Sequence, residues 1–154
     1  MLKGARHGVS SRIVELFHSP RWFYWTPVAL YAALIFLLSS LSDADVYIPA
    51  LTIPYADKVL HALEYGLLGI LTYRAFRYAA GTWSAGHAAL LAIAASTGYG
   101  MTDELHQAFV PLREANVWDV VADGMGSVVG AWGWTHVKPR TTPGEDFREP
   151  TNRV

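Results

Sequence analysis

The chain has 154 residues, of which 52% are hydrophobic and 16% are charged, and its formal net charge is -1. This length predicts about one domain. The high hydrophobic content excludes a disordered chain, and the near-neutral charge argues against a nucleic-acid-binding protein, which would carry an excess of positive charge. Because the chain has no cysteine, it has no disulfide, no thiolate metal ligand and no cysteine nucleophile.

The first predicted element is a membrane-spanning helix over residues 22–41. This stretch contains no charged residue, and about 20 mostly apolar residues are what a helix needs to cross the hydrocarbon core. Trp22, Tyr24 and Trp25 at its start are typical of the aromatic belt at a membrane interface. A cleaved signal peptide is the alternative, but no small-x-small cleavage site follows and further apolar segments do, which favours an uncleaved helix.

Three less hydrophobic spans follow, over residues 58–76, 86–107 and 117–137. In each of them the polar residues gather at one end, whereas a helix of a soluble bundle would carry a polar face along its length. The sequence therefore predicts an all-α fold, a polytopic membrane protein built as a bundle of four transmembrane helices. Residues 22–137 would form this membrane domain.

The Lys and Arg residues predict how the four spans are oriented. With four spans, ten of the 12 lie on one side of the membrane, and Lys58 and Arg113 lie on the other. Because cytoplasmic flanks carry the excess of Lys and Arg, both termini of this multi-pass protein of the cell membrane are expected in the cytoplasm. Residues 1–21 would be a cytoplasmic segment and residues 138–154 a disordered cytoplasmic tail. The loop over residues 42–57 would be irregular and extracytoplasmic.

Polar residues from three of the spans converge on the extracytoplasmic end in this topology. At the second span Asp57, His61 and Glu64 follow helical i+4 and i+3 spacing, so they share one stripe. Asp119 and Asp123 have the same i+4 spacing in the fourth span. Since ionisable groups are costly within a membrane, groups so placed indicate a functional site. The full set of candidate pocket residues is Asp57, Lys58, His61, Glu64, Asp103, Glu104, Gln107, Arg113, Asp119 and Asp123.

Small residues continue these stripes deeper into the bundle. Gly126 and Gly130 extend the aspartate stripe of the fourth span, and a Gly-x-x-x-Gly pattern lets another helix come close. On the third span Ser96 and Gly100 line up with Asp103. Each of these helices is therefore expected to turn a face of small or polar residues towards its neighbours. Charged residues lie at one end of this face.

Two blocks of this polar pattern resemble the conserved blocks of the VanZ-like membrane proteins. Residues 57–69 read Asp-Lys-x-x-His-x-x-Glu-Tyr-x-x-Leu-Gly, and residues 103–113 read Asp-Glu-x-x-Gln-x-Phe-x-Pro-x-Arg, followed by Asp119 and Gly126. The family's namesake is linked to low-level resistance to the glycopeptide teicoplanin. The resemblance therefore implies a role in the cell envelope rather than a defined reaction.

The chain departs from the family pattern at two positions. Members of the family usually have glycine where Leu112 stands and asparagine where Asp123 stands. The second departure adds a carboxyl group, so the protonation state of this site is expected to differ from that in relatives.

Three functional hypotheses stay open beside a structural one, in which contacts such as Asp103–Arg113 or Asp57–Lys58 only tie helices together. The first is a pocket that binds a lipid-linked cell-wall intermediate or an acyl-bearing glycopeptide, with Arg113 orienting an anion. The second is an enzyme that acts on an envelope lipid with a divalent ion, although no HExxH, GxSxG or P-loop motif supports it. The third is a proton or ion relay. The candidate metal ligands are His61, Glu64, Glu104 and Asp119.

Overall fold

The computed structural model describes residues 21–42 and 54–137, and these residues form helices and no strand. The predicted all-α class is confirmed, and four long helices lie within a few residues of the four predicted spans. The predicted N-terminal segment, extracytoplasmic loop and C-terminal tail lie mostly outside the described residues. The helices are α1 (Arg21–Ser39), α2 (Ala56–Ala79), α3 (Thr82–Gly86), α4 (Ala88–Gln107) and α5 (Val117–Thr135).

A short helix separates α2 from α4, where the sequence analysis expected only a connection. Gly81 has a backbone φ of 95°, which residues with a side chain rarely adopt, and α3 begins directly after it. This helix ends where the His87 N–H donates to the carbonyl of Ser84. As a result α4 begins at Ala88, slightly later than predicted.

The long helices run alternately in opposite directions, so the end of one helix lies beside the start of the next. Near the start of α1, Trp25 packs edge-on against Phe76 near the end of α2, with ring centroids 5.3 Å apart. After the end of α1, Ser40 Oγ lies 3.0 Å from Nε2 of His106, near the end of α4. The end of α1, the start of α2, the end of α4 and the start of α5 therefore share one end of the bundle.

The helices α2 and α5 pack with their backbones in direct contact. A Cβ atom added to Gly126 would overlap the carbonyl group of Ala62, and one added to Gly130 would overlap that of Gly66. This contact agrees with the packing role predicted for the Gly-x-x-x-Gly pattern. It also holds the polar residues of the same α5 stripe against α2.

The helix α1 packs against a different face of α2 from this glycine contact. Ile35 of α1 forms a buried apolar cluster with Tyr65 and Leu68 of α2. The hydroxyl of Tyr99 on α4 donates a hydrogen bond of 2.7 Å to the carbonyl of Ala32, which ties α1 to α4 as well. α1 is thereby fixed as a wall of the bundle.

Many large apolar side chains of α2, α4 and α5 lie on the surface of the bundle rather than in its interior. Small and polar side chains fill the interior of α4 and α5, whereas Leu63, Leu90, Met125 and Val129 expose 64–72% of their surface. By length and hydropathy, α1 alone among the described helices suffices to span a membrane. The inward-facing polar residues lower the mean hydropathy of the other long helices, whose crossing of a membrane stays a prediction.

Candidate functional site

A cavity of about 90 Å³ lies at the end of the bundle shared by the end of α1, the start of α2, the end of α4 and the start of α5. Polar residues of α2, α4 and the loop after α4 line it together with apolar residues of α1. Six of the ten predicted candidates line this cavity, three more are joined to its wall by the contacts described below, and Glu104 lies close to His61 and Asp119. Those on its wall are Asp57, His61, Glu64, Asp103, Gln107 and Arg113.

His61 and Asp123 form a pair that links α2 to α5. The Nδ1 atom of His61 lies 2.9 Å from Oδ1 of Asp123, whose side chain has no solvent exposure. Gly100 of α4 makes room for this carboxylate, because a Cβ atom there would lie only 2.5 Å from Asp123 Oδ2. The pair fixes the orientation of the imidazole ring and leaves its Nε2 atom as the nitrogen that can bind a guest.

Lys58 lies between two carboxylates at the start of α2 and of α5. Its Nζ atom is 2.6 Å from Asp57 Oδ2 and 2.5 Å from Asp119 Oδ1. The expected contact between Asp57 and Lys58 is therefore present. The other suggested contact, between Asp103 and Arg113, is not among the ion pairs of residues 21–42 and 54–137. Both side chains instead line the cavity.

Glu104 connects the end of α4 to the start of α5. Its Oε2 atom accepts a hydrogen bond of 2.8 Å from the backbone N–H of Asn116. Asn116 is also the N-cap of α5, because its side chain accepts a hydrogen bond from the Trp118 N–H. Asn116 was not among the predicted site residues, although an asparagine directly before a helical segment is a typical start signal.

Three buried carboxylates keep one oxygen with neither a hydrogen-bond partner nor an ion-pair partner in the described part of the chain: Asp103 Oδ1, Glu104 Oε1 and Asp123 Oδ2. The second oxygen of each is held by the protein, and that of Asp103 accepts from Gln107 Nε2 at 3.2 Å. The buried Nε atom of Arg113 also lacks a partner there. Since an unpaired buried polar group costs about 1–3 kcal/mol, a bound guest that pairs these atoms would stabilise the protein.

Three of the four predicted metal ligands lie next to one another. One ligand atom each from His61, Glu104 and Asp119 lies within 4.8 Å of the other two. An imidazole nitrogen with two carboxylates is a donor set that suits a divalent transition-metal ion. Glu64, the fourth predicted ligand, lines the cavity but does not belong to this group.

The wall contributed by α1 is the part of the site that the sequence analysis did not anticipate. Ile35, Leu38 and Ser39 close the cavity on the side that faces α2 and α4. None of these residues carries a charge or belongs to a metal-binding or catalytic motif. Their role follows only from the position of α1 in the bundle, so no signal in the sequence would have identified them.

A comparison with protein families identifies the family of the chain. The family model described as VanZ/LLP1 matches residues 7–138. The chain belongs to the VanZ/LLP1 family. All five helices and all ten candidate residues of this VanZ/LLP1 protein fall within the match, so the resemblance seen in its two sequence blocks is confirmed. Searches of curated proteins and of solved structures gave no significant match.

The backbone gives a physical reason for one feature of the VanZ-like pattern. Leu112 has a φ of 64°, in the left-handed region that favours glycine, which is the residue usual at this position in the family. The turn between α4 and α5 thus keeps the backbone conformation that glycine would adopt without strain. Arg113 follows directly, so this turn sets where its side chain enters the cavity wall.

Proposed function

We propose that this VanZ/LLP1 protein crosses the cell membrane four times, with both termini in the cytoplasm, and binds the charged head group of an envelope amphiphile in its cavity. The guest would be an acyl-bearing molecule, either a lipid-linked cell-wall intermediate or a lipoglycopeptide such as teicoplanin. The observation that carries the proposal is a cavity whose wall holds Arg113 together with the carboxylates of Asp57, Glu64 and Asp103. One buried oxygen of Asp103 has no hydrogen-bond partner in the described part of the chain.

The outward-facing side chains support the four-span arrangement. Leu63 of α2, Leu90 of α4 and Val129 of α5 are large, apolar and 64–72% exposed. In water this surface would be unfavourable, whereas lipid chains would cover it. The polar residues of the same helices turn inward, which is where ionisable groups of membrane helices are placed.

The charges of the site indicate what kind of head group it would take. Lys58 offsets charge on Asp57 and Asp119, and His61 is paired with Asp123. Arg113 stays available for a carboxylate or phosphate, which a guanidinium binds through two parallel hydrogen bonds. The carboxylates still outnumber the cationic groups, so the head group would also carry an amino group or be accompanied by a cation.

The test is the teicoplanin susceptibility of a sensitive bacterial host that produces the full chain. We expect the wild type to raise the inhibitory concentration and Arg113→Gln to return it to that of the empty host at equal membrane levels. Arg77→Gln is the matched control, because Arg77 lies near the other end of α2 and stacks on Tyr78. Protection by Arg113→Gln equal to that by the wild type would contradict the proposal. Binding of purified protein to a lipid-linked cell-wall precursor distinguishes the two kinds of guest.

A second candidate function, an enzyme that acts on an envelope lipid, is favoured by one observation. The buried carboxylate of Asp123 orients the imidazole of His61 at the cavity wall. A histidine that acts as a general base is oriented by a carboxylate in the same way. For such an enzyme we expect the purified protein to convert an envelope lipid, and His61→Gln to abolish turnover without loss of folded protein. Absence of turnover with every envelope lipid tested would leave the binding function alone.

A further inference from the structure

We propose that His61, Glu104 and Asp119 form a binding site for one divalent transition-metal ion, with Zn²⁺ or Mn²⁺ as the ion. The three residues come from α2, α4 and α5, and one ligand atom of each lies within 4.8 Å of the other two. The site lies beside the cavity of the proposed head-group function. It has its own geometric basis and does not require that function.

Each of the three side chains has one atom fixed by the protein and another available. Nδ1 of His61 is held by Asp123, Oε2 of Glu104 by the Asn116 N–H, and Oδ1 of Asp119 by Lys58. The remaining atoms are Nε2 of His61, Oε1 of Glu104 and Oδ2 of Asp119. Such outer contacts orient the ligands of metal sites and keep their free atoms directed at the ion.

Glu104 provides an independent reason to expect a ligand. The residue is only 5% exposed, and its Oε1 atom has no hydrogen-bond partner among residues 21–42 and 54–137. A buried carboxylate oxygen without a partner is unfavourable in the free protein. A metal ion bound to this oxygen would remove that penalty.

The distances fit an ion after small side-chain movements. Ligand atoms around Zn²⁺ lie about 3.4 Å apart, because the bonds to nitrogen and oxygen are about 2.0–2.2 Å long. The separation of up to 4.8 Å must therefore contract when an ion binds. The remaining coordination positions would face the cavity, where water or a guest can occupy them.

Asp123 is a positioning residue in this site. It contacts the ring nitrogen of His61 opposite to the one that would bind the ion, in the carboxylate–histidine–metal arrangement seen in many metal sites. Asp123→Asn, which restores the residue usual in the family, keeps a hydrogen-bond acceptor beside Nδ1 and removes the charge. We expect it to weaken ion binding, with less effect than the loss of a direct ligand.

The experiment measures metal binding to the full chain, purified in detergent without a histidine tag and treated with a chelator. Equilibrium dialysis against ZnCl₂ or MnCl₂, followed by elemental analysis, gives the number of ions bound and their affinity. We expect one ion per chain and an affinity about tenfold or more lower for Glu104→Gln and Asp119→Asn. Glu64→Gln is the matched control, because Glu64 is a carboxylate of the same cavity outside the group. This variant should lose less affinity for the ion than either Glu104→Gln or Asp119→Asn.

The outcomes distinguish a specific metal site from non-specific attraction of cations to the acidic cavity. Glu104→Gln retains an oxygen that can accept the Asn116 N–H, and gel filtration shows whether each variant is folded. No bound ion in the wild type, or equal affinity in the wild type, Glu104→Gln and Asp119→Asn, would overturn the proposal. Equal losses in Glu64→Gln and Glu104→Gln would also overturn it, since only the total negative charge would then matter. Because dialysis contains no envelope lipid or antibiotic, its result is independent of the susceptibility test.

Discussion

The backbone of Gly130 on α5 packs directly against the carbonyl group of Gly66 on α2, with no space for a side chain between them. Gly126 and Ala62 repeat this contact one turn nearer to the polar site. These two contacts set the distance between α2 and α5 and therefore the distance over which their polar side chains meet. Packing of small residues and geometry of the site are coupled in this way.

The first prediction concerns this glycine contact. Gly130→Ala should lower the free energy of unfolding by about 1–3 kcal/mol, because the new methyl group forces α2 and α5 apart. Gly133→Ala is the control: no atom lies within 4 Å of a Cβ placed there. It should be neutral or stabilising, since alanine has the higher helix propensity. The midpoint of thermal unfolding in detergent measures both, and equal midpoints for the two variants would contradict the packing argument.

The second prediction concerns the turn after α4. Leu112 is 79% exposed and has a φ of 64°, so its side chain gains little from packing while its backbone is strained. Leu112→Gly should raise the free energy of unfolding by about 0.5–1 kcal/mol. This gain is the strain energy that glycine relieves, reduced by the free-energy cost of ordering the more flexible glycine on folding. Leu105→Gly, at an exposed position inside α4, should instead lower it by about 1 kcal/mol. Destabilisation by both changes would argue against a strained Leu112.

The third prediction concerns the lysine between two carboxylates. Lys58→Met should destabilise the protein by about 1–3 kcal/mol, because Asp119 is nearly buried and would lose its positive partner. Asp57→Asn should cost less than about 1 kcal/mol, since the Asp57 side chain is 44% exposed and its contact with Lys58 is screened by solvent. Chemical unfolding followed by circular dichroism compares the two variants. A larger loss in Asp57→Asn than in Lys58→Met would reverse this ranking of the contacts.

The fourth prediction tests the orientation in the membrane. The chain has no cysteine, so a single introduced thiol reports its own location. Leu112→Cys, in the turn beside the cavity, should react with a membrane-impermeant maleimide added to intact cells. Trp83→Cys, in the exposed helix α3 at the opposite end, should react only after the cells are permeabilised. Labelling of both thiols in intact cells, or of Trp83→Cys alone, would exclude the proposed topology.

The sequence was sufficient to locate the long helices and to group the polar residues. Helical spacing placed His61 and Asp123 on stripes that face inward, and both lie there. It did not identify them as partners, because pairing depends on the depth and rotation of two helices that meet 62 residues apart in the chain. The hydrogen bond from the Asn116 backbone to Glu104 was equally unpredictable, since nearly every residue carries an N–H and only the turn selects one of them.

The connection around Gly81 separates α2, which carries Lys58 and His61, from α5, which carries their partners Asp119 and Asp123. In the proposed topology Lys58 and His61 would enter the bilayer with α2, whereas Asp119 and Asp123 would follow only with α5. Until then His61 would lack its partner Asp123 and Lys58 would have Asp57 alone. An unmatched ionisable group costs about 2.5–3.5 kcal/mol if it is exposed at the centre of the lipid. Insertion would then be cooperative, because the first two long helices gain these partners only when α5 has also been inserted.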